Sequence, residues 1–251
     1  MLIEVDDPAD PRLADYFDLR HTPSRDAVIV EGTIALEQVA GSPFPLRSVL
    51  CLSRHVDKVR AVVGGDAVVY AAPDAVLRAT VGFNLHRGVV AACERAPLRD
   101  VGSLLRAGQI FVACERLNDL ENLGSLFRNA RALGADGVVL DPETADPLNR
   151  RSVRVSLGHV LRVPFARAER WPLVLPDARI AALAPHGSAT VSALADIDDP
   201  IVLLVGSEGA GLSDVALAAA DVCVRIPMAD GVDSLNVATA TAIALYAINR
   251  R

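Results

Sequence analysis

Apolar and polar residues alternate along most of the chain in the manner of proteins built from β-strands covered by helices. Short apolar runs such as AVIVEG and GVVAACE predict strands, and the stretches between such runs have helical spacing. The clearest helix is predicted for NLGSLFRNARALG, whose apolar side chains form one stripe made of Leu123, Leu126, Phe127, Ala130 and Leu133. Asn122 can cap the start of this helix and Gly134 its end. The pattern indicates an α/β fold.

Breaks in this alternation predict the domain boundaries. Residues 1–25 contain three prolines, and we interpret them as an N-terminal extension. Residues 26–97 are predicted to form a smaller α/β domain, which ends in the charged, proline-containing segment ERAPLRD. Residues 98–251 are predicted to form a second α/β domain with a parallel sheet, because IVLLVG is a continuous apolar run typical of a buried parallel strand.

Three loops of the second domain carry polar residues next to predicted strands. They are NDLENLGSLFR, GSEGAGLS and IPMADGVDSLN, and the last two directly follow or end a strand. Parallel sheets bind ligands beyond the carboxyl ends of their strands. We therefore expect the three loops to form one site.

The glycine loop narrows the class of ligand. Gly206, Gly209 and Gly211 give G-x-x-G-x-G, which is neither the dinucleotide-binding fingerprint nor a phosphate-binding P-loop. Glu208 lies inside this loop and would repel a phosphate. A cationic or neutral ligand fits the loop better.

The composition changes the picture only in part. A content of 51% hydrophobic and 22% charged residues is typical of a globular protein and excludes wholesale disorder. The net charge of -6 argues against a nucleic-acid partner, which usually selects a basic surface. The segment NRRSVRVSLGHVLR nevertheless contains four arginines and no acidic residue, so phosphate contacts and an ordinary solvated surface both stay open for Arg150, Arg151, Arg154 and Arg162.

Cysteine spacing and hydropathy bear on the compartment. The four cysteines form no CxxC pair, which indicates reduced structural thiols and no metal site. No apolar run has the length of a membrane span. The acidic start MLIEVDDPADPRL lacks the apolar centre of a secretory signal. We expect a cytoplasmic protein that contains no membrane span and no metal.

Taken together, the three loops resemble a known set of motifs. N-L-G-S-x-x-R-N-A-x-A-L-G, L-V-G-S-E-G-A-G-L-S and I-P-M-x-x-G-V-D-S-L-N-V-A-T-A, in this order, resemble the three motifs of the SpoU (TrmH) family of SPOUT methyltransferases. The resemblance covers residues 107–251. The EG-x-x-A-L segment at Glu31 and the HRGVVA segment at His86 resemble the L30e-like RNA-binding domain that many family members carry in front.

The resemblance implies a fold and an activity. The implied enzyme transfers a methyl group from S-adenosylmethionine to a ribose 2'-hydroxyl in rRNA or tRNA, with rRNA favoured. The implied second domain threads a deep trefoil knot in which the cofactor binds, held by backbone groups of the second and third motifs. A homodimer is expected, with the active site near the subunit interface.

The resemblance also assigns roles to individual residues. The implied catalytic residues are Asn122, Arg128, Glu208, Ser234 and Asn236. The implied cofactor-binding residues are Leu204, Val205, Gly206, Gly209, Gly211, Ile226, Met228, Ser234 and Leu235. Within the second set, the glycines permit close approach of the backbone, and Ile226, Met228 and Leu235 supply apolar walls for the adenine. The chain departs from the family pattern at Leu120, where proline is common, at Asn129, where threonine is common, and at His159, where a small residue is usual.

Each polar residue of this set has an ordinary structural interpretation as well. Asn122, Ser234 and Asn236 can cap helices. Arg128 lies about 140° around the helix from Leu123, and a helix arginine that faces away from the apolar stripe is often only a solvated charge. A guanidinium with a pKa above about 12 is a poor base. We therefore expect Arg128 to stabilise a developing alkoxide and to orient the phosphate or ribose.

Two other functions stay open. The chain could be an RNA-binding relative that acts in ribosome assembly without turnover, and the complete set of five polar residues argues against this. An oxidoreductase with an atypical glycine loop is the other alternative. The glycine spacing argues against it, as does the lack of an acidic ribose ligand at the expected distance.

Overall fold

The computed structural model describes residues 1–21, 26–173, 175 and 177–249. In chain order, the strands found in this part of the chain are β1 (Leu2–Glu4), β2 (Ala27–Glu31), β3 (Leu46–Leu52), β4 (Val69–Ala72), β5 (Val89–Glu94), β6 (Ile110–Glu115), β7 (Gly137–Leu140), β8 (Phe165–Arg167), β9 (Arg179–Leu183), β10 (Ala189–Thr190), β11 (Ile201–Gly206) and β12 (Val222–Arg225). The α-helices of the same residues are α1 (Thr33–Glu37), α2 (Val56–Val63), α3 (Asp74–Val81), α4 (Val101–Leu105), α5 (Leu120–Ala132), α6 (Arg150–Val155), α7 (Asp214–Ala218) and α8 (Val237–Ile248).

The chain divides into two compact units. The first comprises Met1–Pro97 and Leu148–Arg162, and the second comprises Leu98–Pro147 and Val163–Arg251. The segment Leu148–Arg162 therefore differs from the predicted plan, which placed it in the second domain. An L30e-like nature of the first unit stays a prediction.

The first unit is built on a mixed sheet. Over the described ranges its strand order is β1-β4-β3-β5-β2. Strands β1, β4 and β3 run parallel, whereas β5 runs antiparallel to both β3 and β2. Strand β2 is buried along its whole length, which agrees with the strand predicted from AVIVEG.

The first residues of the chain are part of this unit rather than an appended extension. Strand β1 pairs with β4 in the register Leu2 to Val69. Leu13 and Tyr16 are fully buried, and the Tyr16 hydroxyl lies 2.7 Å from Ser48 Oγ. Apolar side chains of this stretch thus enter the core. Residues 22–25, including Pro23, lie outside the described residues.

Two arginines of the basic segment are held inside the first unit. The Arg150 guanidinium forms an ion pair with Glu31 and lies 4.6 Å from the centroid of the Phe83 ring. Arg162 donates a hydrogen bond to the carbonyl oxygen of Ala40. Because both guanidinium groups already have partners, the structure favours a structural role for these two arginines over phosphate contacts. Arg154 is exposed.

The second unit is built on a parallel sheet. Its strand order, for the residues described, is β10-β12-β9-β11-β6-β7-β8, and every neighbouring pair is parallel. Strand β11 lies between β6 and β9, and its first five residues are buried, so the prediction from IVLLVG is confirmed. A trefoil knot in this unit stays a prediction.

Helix α5 confirms the predicted apolar stripe and corrects its cap. Four of the five stripe residues are buried, namely Leu123, Leu126, Phe127 and Ala130. Asp119, and not Asn122, caps the start, since its carboxylate accepts hydrogen bonds from the backbone N–H groups of Glu121 and Asn122 at 2.8 Å. Gly134 has φ 72, and the next N–H reaches back to the carbonyl of Ala130, so glycine ends the helix as predicted.

Candidate functional site

A cavity of about 670 Å³ opens beside the carboxyl ends of β9, β11 and β12 in the second unit. All seven residues from Gly206 to Leu212 line it, and so do residues that follow β12 and begin α8. Its wall consists of Leu183, Ala184, Pro185, His186, Val205, Gly206, Ser207, Glu208, Gly209, Ala210, Gly211, Leu212, Leu217, Ile226, Met228, Ser234, Leu235, Asn236, Val237 and Ala240. The second and third predicted loops therefore share one cavity.

Backbone contacts shape the glycine loop. The N–H of Gly211 donates to the carbonyl of Ser207 at 3.0 Å, and a Cβ on Gly206 would lie 2.3 Å from the carbonyl carbon of Gly211. Gly206 is thus required because the loop folds back onto it, which differs from the predicted close approach to a cofactor. Gly209 and Gly211 have φ of 85 and 67, and a Cβ on either would meet nothing within 4 Å. These two glycines leave open space at the cavity wall.

Asn236 joins the three loops through its side-chain amide. Its Nδ2 donates to Asn122 Oδ1 at 2.7 Å and to Glu208 Oε1 at 2.9 Å. Its Oδ1 accepts from the backbone N–H groups of Ala238 at 3.0 Å and Thr239 at 3.3 Å, which caps α8. The oxygen of this one side chain therefore caps α8, and its nitrogen bridges Asn122 and Glu208.

A second contact holds the first motif against the third. Asn129 Nδ2 on α5 donates to the carbonyl oxygen of Ala238 in the first turn of α8 at 2.8 Å. Asparagine stands at this position where threonine is usual in the family, and its longer side chain reaches the neighbouring helix. This contact and the bridge from Asn236 to Asn122 join the two helices at two points.

Arg128 is not brought into contact with this cluster. Its side chain is exposed on α5, and no hydrogen bond or ion pair links it to any residue that the structure describes. It does point away from the buried stripe, as expected from its spacing. Of the five predicted catalytic residues, Asn122 and Glu208 both accept a hydrogen bond from Asn236, Ser234 lines the cavity, and Arg128 remains free to meet an external group.

The cavity is lined by eight of the nine residues that were predicted to bind the cofactor. Val205, Ile226, Met228, Ser234, Leu235 and the three glycines line the cavity. Leu204 does not, since its side chain is only 3% exposed and packs in the core with Phe111 and Val202. Along a strand, successive side chains point to opposite faces, which separates Leu204 from Val205.

Sequence reasoning missed the stretch from Leu183 to His186. It comprises Leu183, the last residue of β9, and the three residues after it. Strand β9 is the neighbour of β11, so the carboxyl end of β9 contributes to the same cavity. The rule that ligands bind at the carboxyl ends of parallel strands applies to it as well. The segment IAALAP predicts a strand, but the sequence alone does not show that this strand lies next to β11.

The cavity combines an apolar wall with little charge. Leucines, Ile226 and Met228 form the apolar side. Among the residues that line it, Glu208 is the acidic one and His186 the one with an imidazole ring. No group of His, Cys, Asp and Glu that could hold a metal ion occurs within the described ranges.

Comparison with known proteins decides the family. The sequence profile described as "SpoU rRNA Methylase family" matches residues 109–246, which include all three loops. The chain belongs to this family. The predicted SpoU resemblance and the predicted α/β class with a parallel sheet are both confirmed. Helices long and apolar enough to cross a membrane were not found in the part of the chain that the structure describes.

Relatives extend the SpoU similarity over both units. The chain is 42% identical, over 97% of its length and 90% of the relative's, to a Mycobacterium bovis protein described as an uncharacterized tRNA/rRNA methyltransferase. It is similar to the AdoMet-bound rRNA methyltransferase of Sinorhizobium meliloti, with a TM-score of 0.81, 28% identity and coverage of 99% and 98% of the two chains. It is also similar to the SpoU methyltransferase AviRb of Streptomyces viridochromogenes in complex with AdoMet, with a TM-score of 0.78, 26% identity and coverage of 96% and 98%. The chain is thus an RNA methyltransferase of the SpoU family.

Proposed function

We propose that this SpoU enzyme methylates a ribose 2'-hydroxyl of rRNA or tRNA and takes the methyl group from S-adenosylmethionine. The observation that carries the proposal is the hydrogen-bonded cluster of Asn122, Glu208 and Asn236 at the edge of a cavity lined by two of the three motifs. Polar groups that hydrogen bonds hold in place beside a ligand cavity are what a positioning mechanism requires.

The cavity residues fit S-adenosylmethionine. This cofactor supplies a methyl group on a positively charged sulfur. Glu208 gives the cavity an acidic group, which suits a cation and not a phosphate. Ile226, Met228 and Leu235 offer apolar surface to an adenine ring, and the open space beside Gly209 and Gly211 allows a ligand to approach the backbone.

The side chains around the cavity argue against a carbon atom of a base as the methyl acceptor. Methylation at a carbon of a pyrimidine base generally requires an enzyme nucleophile such as a cysteine thiolate. The residues that line the cavity include no cysteine, and three of the four cysteines in the sequence are buried elsewhere. A ribose hydroxyl oxygen is itself the nucleophile. The enzyme then needs only to orient it and to stabilise the negative charge that develops on it.

Roles for the predicted catalytic residues follow on this basis. Asn236 orients Asn122 and Glu208 through its two hydrogen bonds. Arg128, whose guanidinium has no partner within the described ranges, stabilises the alkoxide and orients the neighbouring phosphate. Ser234, exposed at the cavity wall, contacts the ribose or the cofactor.

The test is methyl transfer with isotopically labelled S-adenosylmethionine to rRNA and tRNA transcripts, followed by nucleoside analysis. We expect a 2'-O-methylnucleoside. A base-methylated nucleoside contradicts the ribose assignment. Binding of S-adenosylmethionine without transfer to total cellular RNA supports the non-catalytic alternative. The family assignment argues against the oxidoreductase alternative. As a control, we expect a calorimetric titration with NAD to show no binding.

We propose a second copy of the chain as partner. Ile243 and Tyr246 of α8 are 36% and 59% exposed, one turn apart, on a helix without charged residues. An uncharged apolar patch can meet its own copy across a two-fold axis without opposing charges. Light scattering should give the mass of a dimer for the wild type and of a monomer for Tyr246→Glu.

We also propose that rRNA is favoured over tRNA and that the enzyme is cytoplasmic, where both RNAs occur.

A further inference from the structure

Glu115 is a buried carboxylate that stands behind the cavity without lining it. It is the last residue of β6, it is 3% exposed, and it lies beside Gly206 of β11 in the sheet register. Sequence reasoning assigned it no role. Burial of a carboxylate is unfavourable unless hydrogen bonds compensate for the lost water.

Three hydrogen bonds compensate for the burial of Glu115. Its Oε2 accepts from the backbone N–H of Ser213 at 2.7 Å, and its Oε1 accepts from the Ser213 hydroxyl at 2.6 Å. The Oε1 atom also accepts from the indole Nε1–H of Trp171 at 3.0 Å. All three donors face one carboxylate, so both of its oxygens are used.

These contacts close the cavity-lining loop at both ends. The loop begins at Gly206, which pairs with Glu115 in the sheet, and it ends at Ser213, which the Glu115 side chain holds. Ser213 in turn caps α7 by accepting from the N–H of Ala216 at 3.3 Å. The position of Glu115 therefore fixes where the loop starts and where it stops.

We propose that Glu115 is a positioning residue that holds the loop from Gly206 to Ser213 in its cofactor-binding shape, and that Trp171 reports the state of this contact. The proposal rests on the proposed use of S-adenosylmethionine. Glu115 acts through Ser213, whereas the loop residues themselves touch the ligand. Trp171 is the single tryptophan of the chain, so its fluorescence arises from this one position.

The isosteric change Glu115→Gln separates shape from hydrogen bonding. A carboxylate accepts at both oxygens, whereas an amide accepts at one and donates at the other. The amide nitrogen would therefore face either the Ser213 N–H or the donors at Oε1, and one contact must break. Loss of one hydrogen bond to a charged group corresponds to about a tenfold change in an equilibrium constant.

The experiment measures S-adenosylmethionine binding to the full chain by calorimetry and by Trp171 fluorescence, together with steady-state methyl transfer. For Glu115→Gln we expect the Kd and the KM for S-adenosylmethionine to rise about tenfold, with kcat at saturating cofactor close to the wild-type value. The fluorescence change that the cofactor causes in the wild type should be reduced in the variant.

The matched control is Asp141→Asn. Asp141 is also 3% exposed and follows the neighbouring strand β7, but its carboxylate accepts from the N–H of Thr144 and does not touch the glycine loop. It should bind S-adenosylmethionine like the wild type. Equal binding by the wild type and Glu115→Gln, or equal weakening in both variants, overturns the proposal.

Two further variants keep the test decisive if Glu115→Gln fails to fold. Ser213→Ala removes the hydroxyl contact with Glu115 together with the cap of α7 and should weaken cofactor binding, whereas Ser213→Thr keeps both and should restore it. Identical binding by the two Ser213 variants contradicts the proposal. A wild-type protein that binds no S-adenosylmethionine instead refutes the proposed function on which the inference rests.

Discussion

The side-chain amide of Asn236 donates to Glu208 Oε1 at 2.9 Å, while the oxygen of the same amide caps α8. One residue thus stabilises a helix and arranges the polar groups beside the cavity. These two roles are separable because they use different atoms.

Substitutions of Asn236 should separate stability from activity. Asn236→Ala removes the cap and both bridging contacts, so we expect a loss of about 1 kcal/mol in the free energy of unfolding and a fall of orders of magnitude in methyl transfer. Asn236→Ser restores a capping oxygen but cannot bridge to Asn122 and Glu208. It should unfold like the wild type in urea and remain inactive; an active serine variant contradicts the role of the bridge.

Arg128→Ala should abolish most methyl transfer without affecting folding. The side chain is exposed and makes no hydrogen bond or ion pair with the residues described, so its removal leaves no partner unsatisfied. Arg131→Ala is the matched control. Arg131 is an exposed arginine on the same helix, at a position that the first motif leaves variable. Rates are measured under single-turnover conditions. Similar rates for the two variants would show that Arg128 contributes only surface charge.

The glycines of the loop should differ in their tolerance of a side chain. In Gly206→Ala the new Cβ would lie 2.3 Å from the backbone of Gly211, so the loop must open and cofactor binding should be lost. In Gly209→Ala the Cβ meets no protein atom within 4 Å, so the free energy of unfolding should fall only by the roughly 1 kcal/mol associated with a left-handed backbone, while the methyl group takes up space proposed for the ligand. Urea unfolding and calorimetric titration distinguish the two. Stronger disruption by Gly209→Ala would mean that the loop does not close as observed.

Two buried thiols predict a loss of stability in alkali. Burial raises the pKa of Cys51 to about 11 and that of Cys93 to about 12 from the ordinary value of 9.0. Because the folded-state pKa values are raised, the unfolded chain releases these protons first. The stabilisation is complete below about pH 9 and is lost as the pH rises from there towards 11 or 12. Urea unfolding across this range should show the decline, and a variant with alanine at both positions should show a shallower one.

The parts of the fold that follow from a local pattern could be predicted from the sequence. The buried stripe of α5 and the buried strand β11 were predicted because periodicity and an uninterrupted apolar run are visible in one dimension. The cap of α5 was not, since Asp119 and Asn122 are both good capping residues only three positions apart. The choice between them depends on where the backbone turns.

The parts that depend on neighbours in space could not be predicted. The place of Leu183 to His186 at the cavity follows from β9 lying next to β11, and nothing in the alternation of strands and helices gives that order. The burial of Leu13 in the first unit similarly depends on a surface built by later residues. For the catalytic set, family resemblance supplied the residues, and the structure supplied the link through Asn236.

The backbone of Gly211 packs against Gly206 and donates a hydrogen bond to the carbonyl of Ser207, so main-chain atoms close the intervening segment into a ring. Side chains on that ring can therefore change during evolution or engineering while the ring itself persists. Ser207 and Ala210 line the cavity on this segment. They are the places to introduce bulk or polarity when a modified methyl donor, with a larger transferable group, is to be accommodated.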